Sequence, residues 1–288
     1  MKLIATDLDG TLLNEQGEVS KENAQAIKKA IAGGLAFVVA TGRSHGAASK
    51  PLQEVGITCP IISMNGARTY TSDKQVVRSV PLDIEMVRSI QDVCLKADMY
   101  LEFFTNHGIY STSREYFVEV MMDVMKSANP EMSEAEIRKR AENRMQEERV
   151  AFIDNYDDLY TMENLEIFKI LGFSLEKERL DIVRGQFLRE DAVTVTSSGA
   201  INLEFNHPKA QKGIALENLA RSMGIDMKDV MALGDNLNDA SMLHIAGRAV
   251  AMENAEEEIK EICTHRTKTN KEHGVAVAIK KMLGEANG

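Results

Sequence analysis

An α/β fold with a parallel sheet, interrupted by an inserted α+β domain, is what the sequence predicts, on three observations. The apolar runs at residues 3–8, 35–41 and 61–64 are continuous rather than alternating, the mark of strands covered on both faces. Amphipathic segments separate these runs, and strands alternating with helices build parallel sheets. The alternation stops near residue 83 and resumes from residue 212, so a body of different construction stands between.

Residues 3–8 form the first strand. A helix over 21–32 follows, with Ser20 as its N-cap and Gly33-Gly34 as its stop: a hydroxyl satisfies free amides at a helix start, and glycine tolerates the left-handed end. The strand at 35–41 leads to a helix at 49–55 and a strand at 61–64, and residues 69–81 read as a hairpin around Ser72-Asp73-Lys74. In the insert, a helix over 83–97 precedes strands at 100–104 and 109–111. Ser133-Glu134-Ala135-Glu136 is a capping box that opens a polar helix running to 146. A strand at 167–174, a helix at 176–189 and strands at 193–197 and 201–205 complete the insert. Beyond it come a helix at 213–223, a strand at 230–233, a helix at 237–245, a strand at 248–252 and a last helix near 275–282. The organisation implied is a discontinuous core, residues 1–82 and 207–288, with an inserted domain of residues 83–206.

A chain of 288 residues has room for two domains, and 44% hydrophobic with 27% charged residues is the composition of a globular protein with a real core. No apolar run approaches the roughly 20 residues that a membrane helix needs, so no membrane partner is expected. The formal net charge of −10 argues against a nucleic-acid partner held over a broad phosphate surface. A small anionic substrate stays compatible with it, because a bound cation reverses the local field. Cys59, Cys94 and Cys263 are odd in number, far apart and without a CxxC pairing, which reads as reduced, buried thiols. Asp7 arrives after only a few apolar residues, so no secretory leader is expected and the expected compartment is the cytoplasm. The assembly is left open between a monomer and a weak homo-oligomer.

In a parallel sheet, ligands gather beyond the carboxyl ends of the strands. Four such ends carry polar residues: Asp7 and Asp9; Thr41-Gly42-Arg43; Asn65-Gly66; and Gly234-Asp235-Asn236-Leu237-Asn238-Asp239. Asp7 and Asp9, one residue apart on an extended chain, are expected to point the same way, and to repel unless a cation or a shared proton sits between them. Three acids without a histidine suit a hard, oxygen-seeking cation such as Mg²⁺. A hydroxyl, glycine amides and a lysine suit a phosphoryl group. A carboxylate can attack phosphorus, and a second acid beside it can protonate the leaving oxygen and later activate water.

Asp7-Leu8-Asp9-Gly10-Thr11, Thr41-Gly42-Arg43, Lys212-Gly213 and the run from Gly234 to Asp239 stand in the order of the four motifs of the haloacid dehalogenase superfamily, which the chain resembles over essentially its whole length. Asn65-Gly66-Ala67, Val250-Ala251-Met252-Glu253-Asn254-Ala255 and His273-Gly274-Val275-Ala276 are similar to the Cof-type branch of sugar-phosphate phosphatases. Members of that branch carry a large α/β cap between the second and third motifs, where the insert falls here. The resemblance implies a Rossmann-like core with an inserted cap, and a Mg²⁺-dependent phosphatase of small phosphorylated metabolites, sugar phosphates foremost, working through an aspartyl-phosphate. By the same resemblance Asp7 is the nucleophile and Asp9 the general acid/base. Thr41 and Lys212 hold phosphoryl oxygens with help from Asn238, and Gly42, Arg43 and Asn65 belong to the phosphate- and substrate-binding surface. Mg²⁺ is implied on Asp7, the backbone carbonyl of Asp9, and Asp235, with Asp239 as a ligand or just behind one. An Asp two residues after the nucleophile is the phosphatase form of the superfamily; transport ATPases have Thr there, and dehalogenases lack the acid. Ser44-His45 stand where relatives often have Pro and an aromatic, and the approach His207-Pro208-Lys209-Ala210-Gln211 is unusual. Lys212 fits the third motif because Gly213 follows it and an amphipathic helix begins there.

Two other readings use the same residue types. A phosphomutase or phosphotransferase passes the phosphoryl group to another hydroxyl, and a phospho-receiver switch also employs an Asp, Mg²⁺, a Thr and a Lys. A receiver is a much shorter α/β unit whose acid ends a middle strand, whereas Asp7 ends the first and has Asp9 beside it. Each motif alone is an ordinary turn or helix cap; four in order, each after an apolar strand or opening a helix, speak for a site. His45, His107, Arg114 and His207 are read as solvated, the methionines at 121, 122 and 125 as packing, and the charged run 131–149 as an exposed helix face.

Overall fold

A computed structural model describes residues 1–115, 118–119, 122, 126, 131–147, 150–197 and 201–284. It divides into two compact units, Met1–Ser79 with Lys209–Gly288, and Val80–Pro208. The sequence pattern predicts these junctions at 82/83 and 206/207. Leu82 goes with the second unit, because its side chain packs in that unit's core and its amide bonds the carbonyl of Ile167 at 2.7 Å.

In the first unit, β1 (Leu3–Thr6), β2 (Ala36–Ala40), β3 (Ile61–Ser63), β4 (Arg68–Tyr70) and β5 (Val76–Ser79) are joined after the insert by β12 (Val230–Gly234), β13 (Arg248–Ala251) and β14 (His265–Arg266). Their order in the sheet is β14-β13-β12-β1-β2-β3-β4-β5, parallel as far as β3 and antiparallel in the β4–β5 hairpin. The strand order reverses at β1, from which the chain steps outward to β2 on one side and returns as β12 on the other, the place where α/β sheets open a crevice. Thr6 pairs in register with Val39 and with Leu233, so the carboxyl ends of the three central strands lie level.

Alternate residues of β1 enter different apolar layers. Ile4 packs with Ile27 of α1 (Lys21–Ala32), Leu52 of α2 (His45–Glu54) and Ile279 of α9 (Gly274–Met282). Leu3 and Ala5 pack with Leu216 of α6 (Lys212–Ser222), Met242 of α7 (Ala240–Ile245) and Ile259 of α8 (Glu257–Ile262). Burying such a Leu or Ile side chain contributes about 1.5–3 kcal/mol, enough that a strand lined on both faces cannot slip its register cheaply.

The second unit has α3 (Ile84–Lys96), β6 (Tyr100–Thr105), β7 (Gly108–Ser111), α4 (Glu134–Glu147), β8 (Val150–Phe152), β9 (Ile167–Phe173), α5 (Lys177–Phe187), β10 (Thr194–Thr196) and β11 (Asn202–Asn206). Its sheet, β10-β11-β9-β6-β7-β8, is antiparallel except where β8 joins β7. Val87 and Ile90 of α3 and Leu180 and Val183 of α5 pack on Leu101, Phe103, Ile170, Leu203 and Phe205 of the strands. The capping box forms: Glu136 N bonds Ser133 Oγ at 3.4 Å, and Ser133 N bonds Glu136 Oε2 at 3.1 Å. Met121 and Met125 lie outside the described residues, and Met122 is half-buried.

Several elements differ from expectation. The first strand ends at Thr6 rather than residue 8, because the chain turns at once over Leu8–Leu12, closed by Leu13 N on Leu8 O at 2.9 Å. Helix α2 starts at His45, four residues before the expected start; Ser44 Oγ accepts from Ala47 N at 3.3 Å and caps it, and Pro51 sits inside. Helix α8 and strands β8 and β14 have no counterpart among the predicted elements, all three being too short to show a period. Cys59 and Cys94 are buried thiols pushed up to about 12 by burial, but Cys263, expected to be buried, is only partly so. Among the described residues no helix is long and apolar enough to cross a membrane.

Asn23, fully buried on α1, joins three elements: its Nδ2 donates to Leu12 O at 3.1 Å and its Oδ1 accepts from Ala276 N at 2.9 Å. Asn23→Ala is expected to lower stability by about 2–4 kcal/mol, since each buried partner left unpaired costs about 1–3. Urea denaturation checks this, and a loss below about 0.5 kcal/mol contradicts it.

Candidate active site

Asp7 follows β1 directly, and its amide continues the ladder to Leu233 O at 3.1 Å. Its side chain is buried, and its Oδ1 accepts from the Nζ of Lys212 at 2.7 Å. Lys212 opens α6 and is fully buried; the same ammonium donates to Asp239 Oδ1 at 2.6 Å. The other oxygen of Asp239 accepts the amides of Asp235 and Asn236 at 3.0 and 3.1 Å, so a single carboxylate fixes both the loop after β12 and the lysine. Asp235 Oδ1 is held by Thr11 Oγ1 at 2.7 Å. Gly10, at φ +76°, backs onto that same carboxylate so tightly that a Cβ there would fall 2.2 Å from Asp235 Oδ2.

The Asp9 carboxylate, well exposed, lies on the guanidinium of Arg43: Nε to Oδ2 at 2.8 Å and Nη2 to Oδ1 at 2.6 Å. Each acid thus has its own cation. Three asparagines hold the carbonyls of this turn from outside. Asn254 Nδ2 donates to Gly10 O at 2.8 Å, Asn270 Nδ2 to Leu13 O at 2.9 Å, and Asn23 Nδ2 to Leu12 O at 3.1 Å. The first two are themselves coupled, Asn270 N bonding Asn254 Oδ1 at 3.0 Å.

At the end of β2, buried Thr41 accepts from Arg43 N through its hydroxyl at 3.1 Å. The loop Met64–Gly66 is tied to this segment by Asn65 N on Thr41 O and Met64 N on Arg43 O, each 2.9 Å. Asn65 Oδ1 accepts from Asn238 Nδ2 at 3.2 Å and stands next to Gly42, where a Cβ would lie 3.1 Å from that oxygen. Asp7, Lys212, Asp235 and Asp239 are therefore one cluster, and Asp9–Arg43 and Asn65–Asn238 are two pairs on the neighbouring strand ends. His45 is half-buried and stacks on Tyr70, ring centroids 4.2 Å apart; burial, then Lys74, lowers its pKa, so it stays neutral near pH 7. His107 and Arg114 are exposed and His207 partly so, all three in the second unit. The linking roles of Thr11, Asn254 and Asn270 have no sequence signal, although Thr11 and Asn254 lie inside recognisable motifs.

Burial pushes Asp7 well above the usual carboxylate range, opposed by Lys212 and reinforced by Asp239, Asp235 and Asp9. Burial likewise lifts Asp235 to about 7, with Thr11 opposing and Asp239 reinforcing. Burial alone would lower Lys212, but Asp239 and Asp7 outweigh it and keep the ammonium charged. Asp7, Asp235 and Asp239 offer carboxylate oxygens within 4.8 Å of one another. An all-oxygen set of three acids, with one ammonium against them, fits a hard divalent cation.

A family model for haloacid dehalogenase-like hydrolases matches residues 4–279. The chain belongs to that family. Phosphatase YwpJ of Bacillus subtilis is 38% identical over 286 residues, covering 98% of this chain and 100% of the relative. The 5-amino-6-(5-phospho-D-ribitylamino)uracil phosphatase YwtE of the same organism is 34% identical over 285 residues, covering 98% of each. A solved haloacid dehalogenase-like hydrolase from B. subtilis superposes with a TM-score of 0.87 at 37% identity, covering 97% of this chain and 99% of its own. The chain is thus an enzyme, a phosphatase of the haloacid dehalogenase type, and hydrolases of this family use a divalent metal.

The raised acids give a pH signature. A carboxyl whose folded pKa exceeds its unfolded value costs stability as pH rises from the ordinary 3.8 through the folded value of about 7. A cation that binds the ionised form relieves this cost. Mg²⁺ is therefore expected to raise the Tm more at pH 7.5 than at pH 5.5, as read by thermal-shift measurement. Equal shifts at both pH values contradict it.

Proposed function

We propose that the chain is a Mg²⁺-dependent phosphatase of small phosphorylated metabolites, sugar phosphates and related polyol phosphates foremost, that forms an aspartyl-phosphate on Asp7. The observation that carries this reading is the buried Asp7 at the end of the central strand, one oxygen fixed 2.7 Å from the Lys212 ammonium. Fixing one oxygen aims the carboxylate and leaves the other as the attacking atom. Asp7, Asp235 and the backbone carbonyl of Asp9 would hold Mg²⁺, with Asp239 behind them, and the ion supplies positive charge for phosphoryl oxygens when bound.

Lys212, the Thr41 hydroxyl and the Gly42 amide hold the phosphoryl oxygens, with Asn238 assisting. Asp9 gives a proton to the leaving oxygen as the Asp7 oxygen bonds to phosphorus. It then takes a proton from the water that attacks the same phosphorus, which returns Asp7 as a carboxylate and releases phosphate. The Arg43 fork sets the direction of the Asp9 carboxylate. The polyol phosphate reading draws on the whole-length relative whose name carries a ribityl phosphate. Membership of a hydrolase family goes against a phospho-receiver, and free phosphate rather than an isomerised sugar phosphate as product separates the proposal from a phosphomutase. The buried thiols fit a reducing, cytoplasmic setting.

A panel of phosphorylated metabolites assayed with Mg²⁺ identifies a working substrate. On it, Asp7→Asn is expected to abolish turnover while the fold survives. Asp9→Asn is expected to slow turnover by about 10²- to 10⁴-fold, with the first step partly rescued by a nitrophenolate leaving group that needs no proton. Near-wild-type hydrolysis by the Asp7 variant, or equal losses with good and poor leaving groups in the Asp9 variant, contradicts these roles.

A further inference from the structure

Arg78 lies on β5, four strands from Asp7 in the sheet and in none of the motifs, and it is half-buried. Among the described residues its guanidinium pairs with no carboxylate. Its partners are two backbone carbonyls far apart in sequence: Nη1 donates to Gly66 O, and Nη2 to Lys209 O at 2.7 Å. Gly66 closes the loop that carries Asn65, and Lys209 lies three residues before Lys212. The two segments touch backbone to backbone, for a Cβ on Gly66, at φ +100°, would fall 2.4 Å from Gln211 O. Nothing soft lies between them, so a shift in one chain is passed to the other.

We infer that Arg78 is a positioning residue for the phosphoryl-binding groups, clamping the Asn65 loop to the segment that delivers Lys212. The inference rests on the phosphatase reading. A continuous set of bonds forms the path. Met64 and Asn65 hang from the carbonyls of Arg43 and Thr41, Arg78 joins Gly66 to Lys209, and Lys212 reaches Asp7 and Asp239. Without Arg78 the two segments keep their own ends but lose the bridge that sets the height of Lys212 relative to Thr41. The planar guanidinium sets two donor nitrogens at a fixed spacing, one on each carbonyl, whereas a lysine offers one nitrogen and does not reproduce that fork. An edge arginine that merely stabilised the hairpin would alter thermal stability and leave oxyanion binding untouched.

The test compares wild type, Arg78→Ala and Arg78→Lys in the presence of Mg²⁺, reading orthovanadate affinity, kcat and KM, and Tm. Arg78→Ala is expected to lower kcat/KM by about 10- to 100-fold, the scale of a displacement of about 1 Å in a binding group. Vanadate affinity should fall by a similar factor, and the dependence on leaving group, which reports Asp9, should stay unchanged. Arg78→Lys should recover little, whereas millimolar guanidinium should restore the Ala variant several-fold and leave the wild type unaffected. A folded Arg78→Ala protein with vanadate affinity and kcat/KM within twofold of wild type overturns the inference. If that variant does not fold, the same result in Arg78→Lys overturns it. A wild type that neither binds vanadate nor hydrolyses any phosphomonoester overturns the phosphatase reading, and the Arg78 inference falls with it.

Discussion

The Lys212 ammonium, bonded at once to Asp7 and Asp239 and shut away from water, is the interaction on which the rest of the site depends. Two buried carboxylates on one buried cation carry a large desolvation cost, repaid only with tight geometry and every remaining oxygen engaged. Asp239 meets that condition through two backbone amides, and Thr11 holds the neighbouring Asp235. With all three acids ionised, two negative charges more than the lysine can neutralise remain in the cluster. Burial, reinforced by that excess, drives Asp7 and Asp235 towards holding protons, and the excess makes the same cluster a place for a divalent cation.

The fold supplies the geometry through the ends of three parallel strands. Asp7, Thr41 and Asp235 leave β1, β2 and β12 at the level where the strand order reverses, and Lys212 enters at the start of a helix packed on the same sheet. The turn after Asp7 would be loose by itself, containing Gly10 and an exposed acid. The carbonyls that three asparagines hold belong to this turn, and Arg43 takes its carboxylate. Precision at Asp9 therefore comes from α1, the C-terminal segment and the loop after β2 rather than from the turn's own sequence.

Much of this architecture is legible in the amino-acid sequence. Continuous apolar runs announce a sheet covered on both faces, and they locate the polar residues at its carboxyl edge. That reasoning reaches Asp7, Asp235 and Asp239, because burial and strand termination are local properties of the sequence. It does not foresee the partner of Asp9, the Arg43 guanidinium at the end of the next strand. It also misses Asn254, Asn270 and Arg78. These act on backbone carbonyls remote in the chain, and a carbonyl has no residue type for a sequence pattern to register. Helix α8 and strands β8 and β14 are too short to be read, and the approach to Lys212 shows its purpose only once Gly66 is seen against Gln211.

The central claim is that Asp7 carries the phosphoryl group during turnover. Quenching the enzyme with substrate and Mg²⁺ in the steady state, then reducing with borohydride, converts an acyl phosphate to an alcohol while sparing free carboxylates. Mass spectrometry of the N-terminal peptide should then find homoserine at position 7 and unaltered aspartate at position 9, only in samples that contained substrate. Unmodified Asp7 in an enzyme trapped during active hydrolysis, or reduction at Asp9 instead, would contradict the account.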